Sequence, residues 1–209
     1  MTELSAAPPP SQAAPRLILA STSRYRRELL ERLRLPFEMV SPEVDETPQP
    51  GEAPAALAQR LALAKAHAVA ARHQDAIVIG SDQVADVGGQ PIGKPGTHER
   101  AVQQLRQMSG RRIVFQTAVA VVRASARFAE VRLAPVNVQF RTLSEAEIEF
   151  YLRLEQPYDC AGSAKCETLG IALLSAIESD DPTALIGLPL MRTCELLRSA
   201  GLDPLKAKP

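Results

Sequence analysis

A short apolar strand that runs straight into a helix crowded with arginines constrains this chain more than any other stretch. Residues 16–27 read Arg-Leu-Ile-Leu-Ala-Ser-Thr-Ser-Arg-Tyr-Arg-Arg, so the helix opens on Arg24, Arg26 and Arg27. A helix N-terminus already carries about half a positive charge and unpaired N–H groups. Cations there are destabilising unless something anionic sits among them, and phosphate is the anion such a terminus favours. Arg26 precedes Leu29, Leu30 and Leu33 by three, four and seven residues and shares their stripe, whereas Arg27 aligns with Glu31 on the wet face. Arg26 is the better ligand contact, set against an arginine that merely snorkels at the core rim. Of Ser21 and Ser23, one caps the helix and the other is free to meet a bound phosphate.

The remainder of the chain reads as a mixture of strands and helices. Strands are expected at Leu17–Ala20, Phe37–Val40, Ala76–Gly80, Gln83–Val87, 113–122 and 131–140, with a hairpin turn at Gly88-Gly89. Helices are expected over 23–33, about 55–72, 97–108, 144–154 and from Pro189 to near Gly201, the fourth opened by a Ser144/Glu147 capping box. With 209 residues, 45% of them hydrophobic, the chain can bury a full core, and one domain over 16–209 is expected. Residues 1–15, rich in Ala, Pro and Ser, match neither a signal peptide nor an anchor and are expected to form a disordered tail.

Charge narrows the function classes. Basic and acidic residues both number 24, so there is no global field for nucleic acid or an anionic membrane, and any basic site must be local. No stretch is apolar enough to span a bilayer. The cysteines, Cys160, Cys166 and Cys194, lack a C-x-x-C spacing and the histidines form no ligand pair, which points to free thiols, a cytoplasmic setting and no zinc.

Several charged residues fall where charge is costly. Leu57, Leu61 and Lys65 recur every four residues, setting an ammonium on an apolar stripe among alanines; a snorkelling lysine is the bland alternative. Asp82 stands where the strand Ala-Ile-Val-Ile-Gly leaves the core, the place where α/β proteins put their chemistry, against the alternative of an Asp capping a turn. Lys94 lies in the loop Ile-Gly-Lys-Pro, and Glu43, Asp45 and Glu46 make an acidic loop able to hold a hard divalent cation or simply to stay solvated. Taken together, Arg26, Lys65 and Lys94 offer cations for a polyphosphate, Glu46 and Asp82 offer carboxylates for a metal, and the serines offer hydroxyls. Neither a Walker A run nor a G-x-G-x-x-G run is present.

These segments resemble the Maf family of nucleotide pyrophosphatases. The resemblance rests on residues 17–27, Val-Asp-Glu-Thr-Pro (44–48), Ala-Lys-Ala (64–66), Ile-Gly-Ser-Asp-Gln-Val (79–84), Gly-Lys-Pro (93–95) and Gly-Leu-Pro-Leu (187–190). It implies an elongated mixed α/β sheet in two lobes around a central cleft, as in inosine triphosphate pyrophosphatases, and a homodimer. Ser21, Ser23, Arg26, Lys65 and Lys94 fall on its phosphate positions, Asp82 on its catalytic position, and Glu46 with Asp82 on its metal positions, with Mg or Mn as cofactor. Residues 160–170, Cys-Ala-Gly-Ser-Ala-Lys-Cys-Glu-Thr-Leu-Gly, resemble the branch that hydrolyses 7-methyl-GTP, with Tyr25, Gln83 and Glu167 at the base-specificity positions. Methylation at N7 makes guanine cationic. A tyrosine face attracts such a ring by about 0.5–2 kcal/mol, and a carboxylate accepts from the N1–H and N2–H₂ edge. The chain departs from that branch's usual pattern at Arg24, Tyr25 and Ala164. Expected partners are thus a modified nucleoside triphosphate, with no nucleic acid and no membrane. The alternatives are dTTP, UTP or another modified nucleotide as substrate, or a non-catalytic nucleotide-binding regulator of cell division.

Overall fold

A computed structural model describes residues 15–206. The expected tail therefore lies outside the described residues except for Pro15. The elements run β1 (Leu17–Leu19), α1 (Arg24–Glu31), β2 (Glu38–Met39), α2 (Pro54–Ala70), β3 (Ile77–Val87), β4 (Gln90–Ile92), α3 (His98–Met108), β5 (Arg112–Arg123), β6 (Phe128–Phe140), α4 (Glu145–Glu155), β7 (Leu174–Glu178) and α5 (Leu190–Ser199). They build one seven-stranded sheet in the order β2-β1-β3-β5-β6-β7, with β4 paired to β3. β1 is parallel to β2 and β3, while the β3-β5-β6-β7 ladder is antiparallel, so the sheet is mixed as expected.

Long central strands carry two lobes. On one face of the first lobe, Val78, Val84, Ala118 and Ala120 meet Leu57, Leu61, Ala62 and Ala66 of α2. On the other face, Ile77, Ile79, Val119 and Val121 meet Leu29 and Leu30 of α1 and Leu196 and Leu197 of α5. A second lobe gathers Ala85, Phe115, Val136 and Phe140 around Leu105 and Met108 of α3 and Ile148 and Leu152 of α4. The period of two along β3 sends Val78, Gly80, Asp82 and Val84 to the α2 face and Ile79, Ser81 and Gln83 to the other.

One expectation is corrected here. The strand expected to stop at Gly80 continues unbroken to Val87, pairing with β5 from Val78 through Asp86, so Asp82 sits mid-strand rather than at a strand end. The role of Gly80 within the strand is close packing. A Cβ built there would lie 2.2 Å from the Ala62 carbonyl oxygen and 2.7 Å from the Ala66 nitrogen. β7 and the 3₁₀ turns around it were not anticipated, since β7 is mostly exposed and lacks an apolar rhythm.

α2 begins at Pro54, and its N-cap, Ala53, offers no side-chain cap. In its place Glu52 takes a two-pronged hydrogen bond from Arg60, at 2.6 and 2.7 Å, and another from the Gln49 backbone N–H at 3.0 Å. The Arg60 bond first, then the Gln49 N–H, pull the Glu52 carboxyl down to about 2. A depressed folded-state value stabilises above the ordinary carboxyl value and is lost as pH falls through the folded one. Acid unfolding of the native chain should therefore include a component between roughly pH 4.5 and 2 that disappears in Glu52→Gln, measured as Tm against pH; an unchanged acid limb in that variant would contradict this.

Candidate functional site

The centre of the site is Lys65. The close approach of α2 to β3 that Gly80 permits sets its Nζ 2.7 Å from Asp82 Oδ1 and 2.7 Å from Glu46 Oε1. Lys65 is only 4% exposed and Asp82 7%, so the pair lies on the floor of the cleft, with Glu46 above it at the solvent edge. The loop that carries Glu46 is fastened to α2 by Arg60, whose Nη2 donates to the Thr47 carbonyl at 3.1 Å. Asp45 turns away from the cluster to accept from the Thr47 N–H, so of the acidic loop it is Glu46 that reaches the lysine. Burial tends to raise the Glu46 carboxyl, but the Lys65 hydrogen bond and the charges of Lys65, Lys94 and Arg26 outweigh it and hold it below the ordinary range.

The arginine-laden helix start faces this centre. Ser23 caps α1 by accepting from the Arg26 N–H at 3.4 Å, and Ser21 Oγ accepts from the Ser23 N–H at 3.1 Å. Arg26 Nε donates to the Gly187 carbonyl at 2.9 Å and Nη1 approaches Ser21 Oγ at 3.5 Å. Burial lowers the Arg26 pKa, against the raising pull of Asp82 and Glu46. The Gly-Leu-Pro-Leu segment thus has a physical purpose. Its Gly187 carbonyl accepts from both Arg26 and Ser81, while Gln83 Nε2 and Thr117 Oγ1 hold the carbonyls of Ala184 and Leu185 just before it. Asp181, fully buried, caps α5 by accepting from the Met191 N–H at 2.8 Å and fixes Thr183 at 2.7 Å.

At the far end lie Tyr25, Asp159, Cys160, Ala164 and Glu167. The Tyr25 hydroxyl accepts from Arg24 Nη2 at 2.7 Å and points to Asp159 at 3.4 Å. Arg24 Cζ lies 4.8 Å from the ring centroid and Lys165 Nζ 5.9 Å. Glu167 sits in a tight turn closed by Gly170, where a Cβ would come within 2.3 Å of the Lys165 carbonyl oxygen. Burial is the first cause that pushes the Cys160 and Cys166 thiols up to about 12.

One cleft of about 840 Å³ joins these regions. Its walls include Ser21, Ser23, Tyr25, Arg26, Glu46, Lys65, Asp82, Gln83, Lys94 and Glu167, so the structure brings every candidate site residue to the same hollow. Arg27 is not among them. It pairs with Glu31 at 2.9 Å on the outer face, as its helical phase required. Arg26, Lys65 and Lys94 line this cleft together with the carboxylates of Glu43, Glu46 and Asp82. The Gln83 amide nitrogen serves Thr117 Oγ1 and the carbonyls of Ala184 and Leu185. Ser81, Thr117, Asp181 and Lys165 support the site without having been singled out. Each acts on a segment distant in sequence or through a backbone atom, and no local spacing announces that.

The described residues contain no group of three or more His, Cys, Asp or Glu disposed around one point. A divalent cation would have the carboxylates of Glu46 and Asp82, both within 2.7 Å of one ammonium that holds a cation's place between them. Hard oxygen donors in that number suit magnesium or manganese, which complete their shell with water and phosphate oxygens.

Comparison with known proteins places the chain in a family. A relative from Polaromonas sp. (strain JS666), named 7-methyl-GTP pyrophosphatase, is 67% identical over 186 residues, covering 89% of this chain and 85% of its own. Proteins of the same name from Albidiferax ferrireducens and Bordetella pertussis are 62% and 61% identical, covering 92% and 93% of this chain and 96% and 97% of theirs. The Ham1 protein of Staphylococcus aureus matches 61% of this chain and 72% of its own at a TM-score of 0.45 and 16% identity, too distant to inform the site. The Maf-like protein model matches residues 16–200, from the strand before the arginines to the end of the last helix, and the chain belongs to the Maf family.

Proposed function

We propose that this protein hydrolyses 7-methyl-GTP between the α and β phosphates, giving 7-methyl-GMP and pyrophosphate. The observation that carries the chemistry is the Lys65 ammonium held between Asp82 and Glu46 on the floor of a cleft rimmed by Arg26 and Lys94. The base follows the names of relatives 57–67% identical over most of the chain. In this reading Arg26, Lys65 and Lys94 bind the phosphates and offset charge on the departing pyrophosphate, with Ser21 and Ser23 donating to phosphate oxygens. Asp82 Oδ1 is engaged by Lys65, so Oδ2 takes the proton from the water that attacks the α phosphorus. Glu46 and Asp82 would hold magnesium or manganese, which would offset phosphate charge and acidify water. Tyr25 stacks on the cationic ring, Glu167 accepts from the N1–H and N2–H₂ edge, and Gln83 Oε1 completes the polar contacts.

Among the described residues no helix is long and apolar enough to cross a membrane. The free thiols of Cys160, Cys166 and Cys194 fit a cytoplasmic enzyme acting on a free nucleotide rather than on nucleic acid or at a membrane. Phe150 and Leu154, 64% and 62% exposed on α4, offer an apolar face for a homodimer. The test of the substrate is kcat/KM for pyrophosphate release over a panel of 7-methyl-GTP, GTP, dTTP and UTP. Expected is a preference for 7-methyl-GTP of about tenfold or more, the size of discrimination that one lost favourable contact gives. Equal values, or a preference for dTTP or UTP, would contradict the reading.

A further inference from the structure

Tyr25, the ring that receives the cationic base in the reading above, is already occupied by a cation from its own chain. Arg24 Nη2 donates to the Tyr25 hydroxyl at 2.7 Å and its Cζ stands 4.8 Å from the ring centroid, within the range of a cation–π contact. Arg24 occupies the first turn of α1, where the helix dipole disfavours a positive charge, so its place is not set by the helix. It is an exposed side chain that lines the cleft, and its one side-chain hydrogen bond among the described residues is to that hydroxyl. The second cation near the ring is buried, whereas Arg24 is exposed and shares the Tyr25 hydroxyl with the Asp159 carboxylate, 3.4 Å from it. Lys165 Nζ is 5.9 Å from the centroid, but the residue is buried, donates to the Glu155 carbonyl at 3.0 Å and lies 3.8 Å from the Glu155 carboxylate, which fixes and offsets it.

We propose that Arg24 is a specificity-determining residue that opposes a cationic base at Tyr25 and thereby admits neutral purines alongside it; this rests on the substrate reading given above. The physics is a competition for one aromatic face. A planar guanidinium can leave the ring and stack against a neutral guanine, whereas a 7-methylguanine ring carries a positive charge that Arg24 repels at a separation of a few ångströms. The charge at position 24 therefore acts on the difference between the two bases and not on their shared contacts with Glu167. A role for Arg24 in gripping phosphate would act alike on both nucleotides and leave their ratio unchanged.

The test uses the full chain with the nucleosides 7-methylguanosine and guanosine, which remove the phosphates from the comparison, and the ratio of their dissociation constants read by calorimetry. Wild type, Arg24→Lys, Arg24→Gln and Arg24→Glu form a charge series at an exposed site that does not disturb the core. Expected is an unchanged ratio in Arg24→Lys, a shift of about three- to tenfold toward 7-methylguanosine in Arg24→Gln, and a larger one in Arg24→Glu. The same ordering should appear in the kcat/KM ratio of 7-methyl-GTP to GTP. A ratio that does not move with charge, or that falls in Arg24→Gln, overturns the assignment of Arg24. Failure of the substrate reading is separately visible as a wild-type protein with no preference for the methylated nucleotide, whatever the series does.

Discussion

Replacing Asp82 with asparagine should lower kcat for pyrophosphate release by about 10²–10⁴-fold, the range that loss of a positioned general base produces, while the protein stays folded. Asparagine keeps the shape of the side chain but takes no proton from water and supplies no charge for a cation. Cutting one partner from a buried ion pair ordinarily costs about 3–5 kcal/mol because the other charge is stranded. Here Lys65 retains Glu46 at 2.7 Å, so the loss in stability should be smaller than that range. Steady-state kinetics and thermal unfolding of the same preparation separate the two effects. A variant with wild-type turnover would remove Asp82 from the mechanism.

Gly80→Ala is the second large effect, and it acts through the backbone. The added Cβ would meet the Ala62 carbonyl oxygen at 2.2 Å and the Ala66 nitrogen at 2.7 Å, both in the main chain of α2, which cannot rotate aside like a side chain. The helix must lift from β3 and loosen the core in which Val78, Ala62 and Ala66 are fully buried. Overpacking of this kind costs typically about 1–3 kcal/mol and more when only backbone can yield, so a loss of about 3 kcal/mol in chemical denaturation is expected. Activity should fall more steeply than stability, since Lys65 adjoins Ala66 and moves with it away from Asp82. Native stability, or full activity in a stable variant, would show that the helix–strand contact does not set the Lys65–Asp82 distance.

What could be read in advance depended on how local its cause was. The phase of Arg26 and Arg27 on α1 was legible because three and four residue spacings alone decide it, and the structure turns Arg26 inward to Gly187 and Arg27 outward to Glu31. The Ser144/Glu147 capping box was legible for the same reason, both of its hydrogen bonds being present. The continuity of β3 through Ser81 and Asp82 was not legible, because these residues have turn chemistry. The polar groups of Ser81, Asp82 and Gln83 are satisfied instead by a lysine on α2 and by carbonyls at 184, 185 and 187, partners that no local window contains. The segment from 160 to 187 was the least legible. Its turns are held by Tyr151, Glu155 and Asp181, and β7 by its antiparallel pairing with β6, so their conformation is a product of tertiary contacts rather than of propensity.

The most direct measurement is the identity of the products formed from 7-methyl-GTP in ¹⁸O-labelled water by the purified chain with magnesium or manganese. Water activated at Asp82 and directed at the α phosphorus gives labelled 7-methyl-GMP and unlabelled pyrophosphate. Label in pyrophosphate, or release of orthophosphate with 7-methyl-GDP, would place the attack at another phosphorus and contradict the role assigned to the Lys65–Asp82 centre.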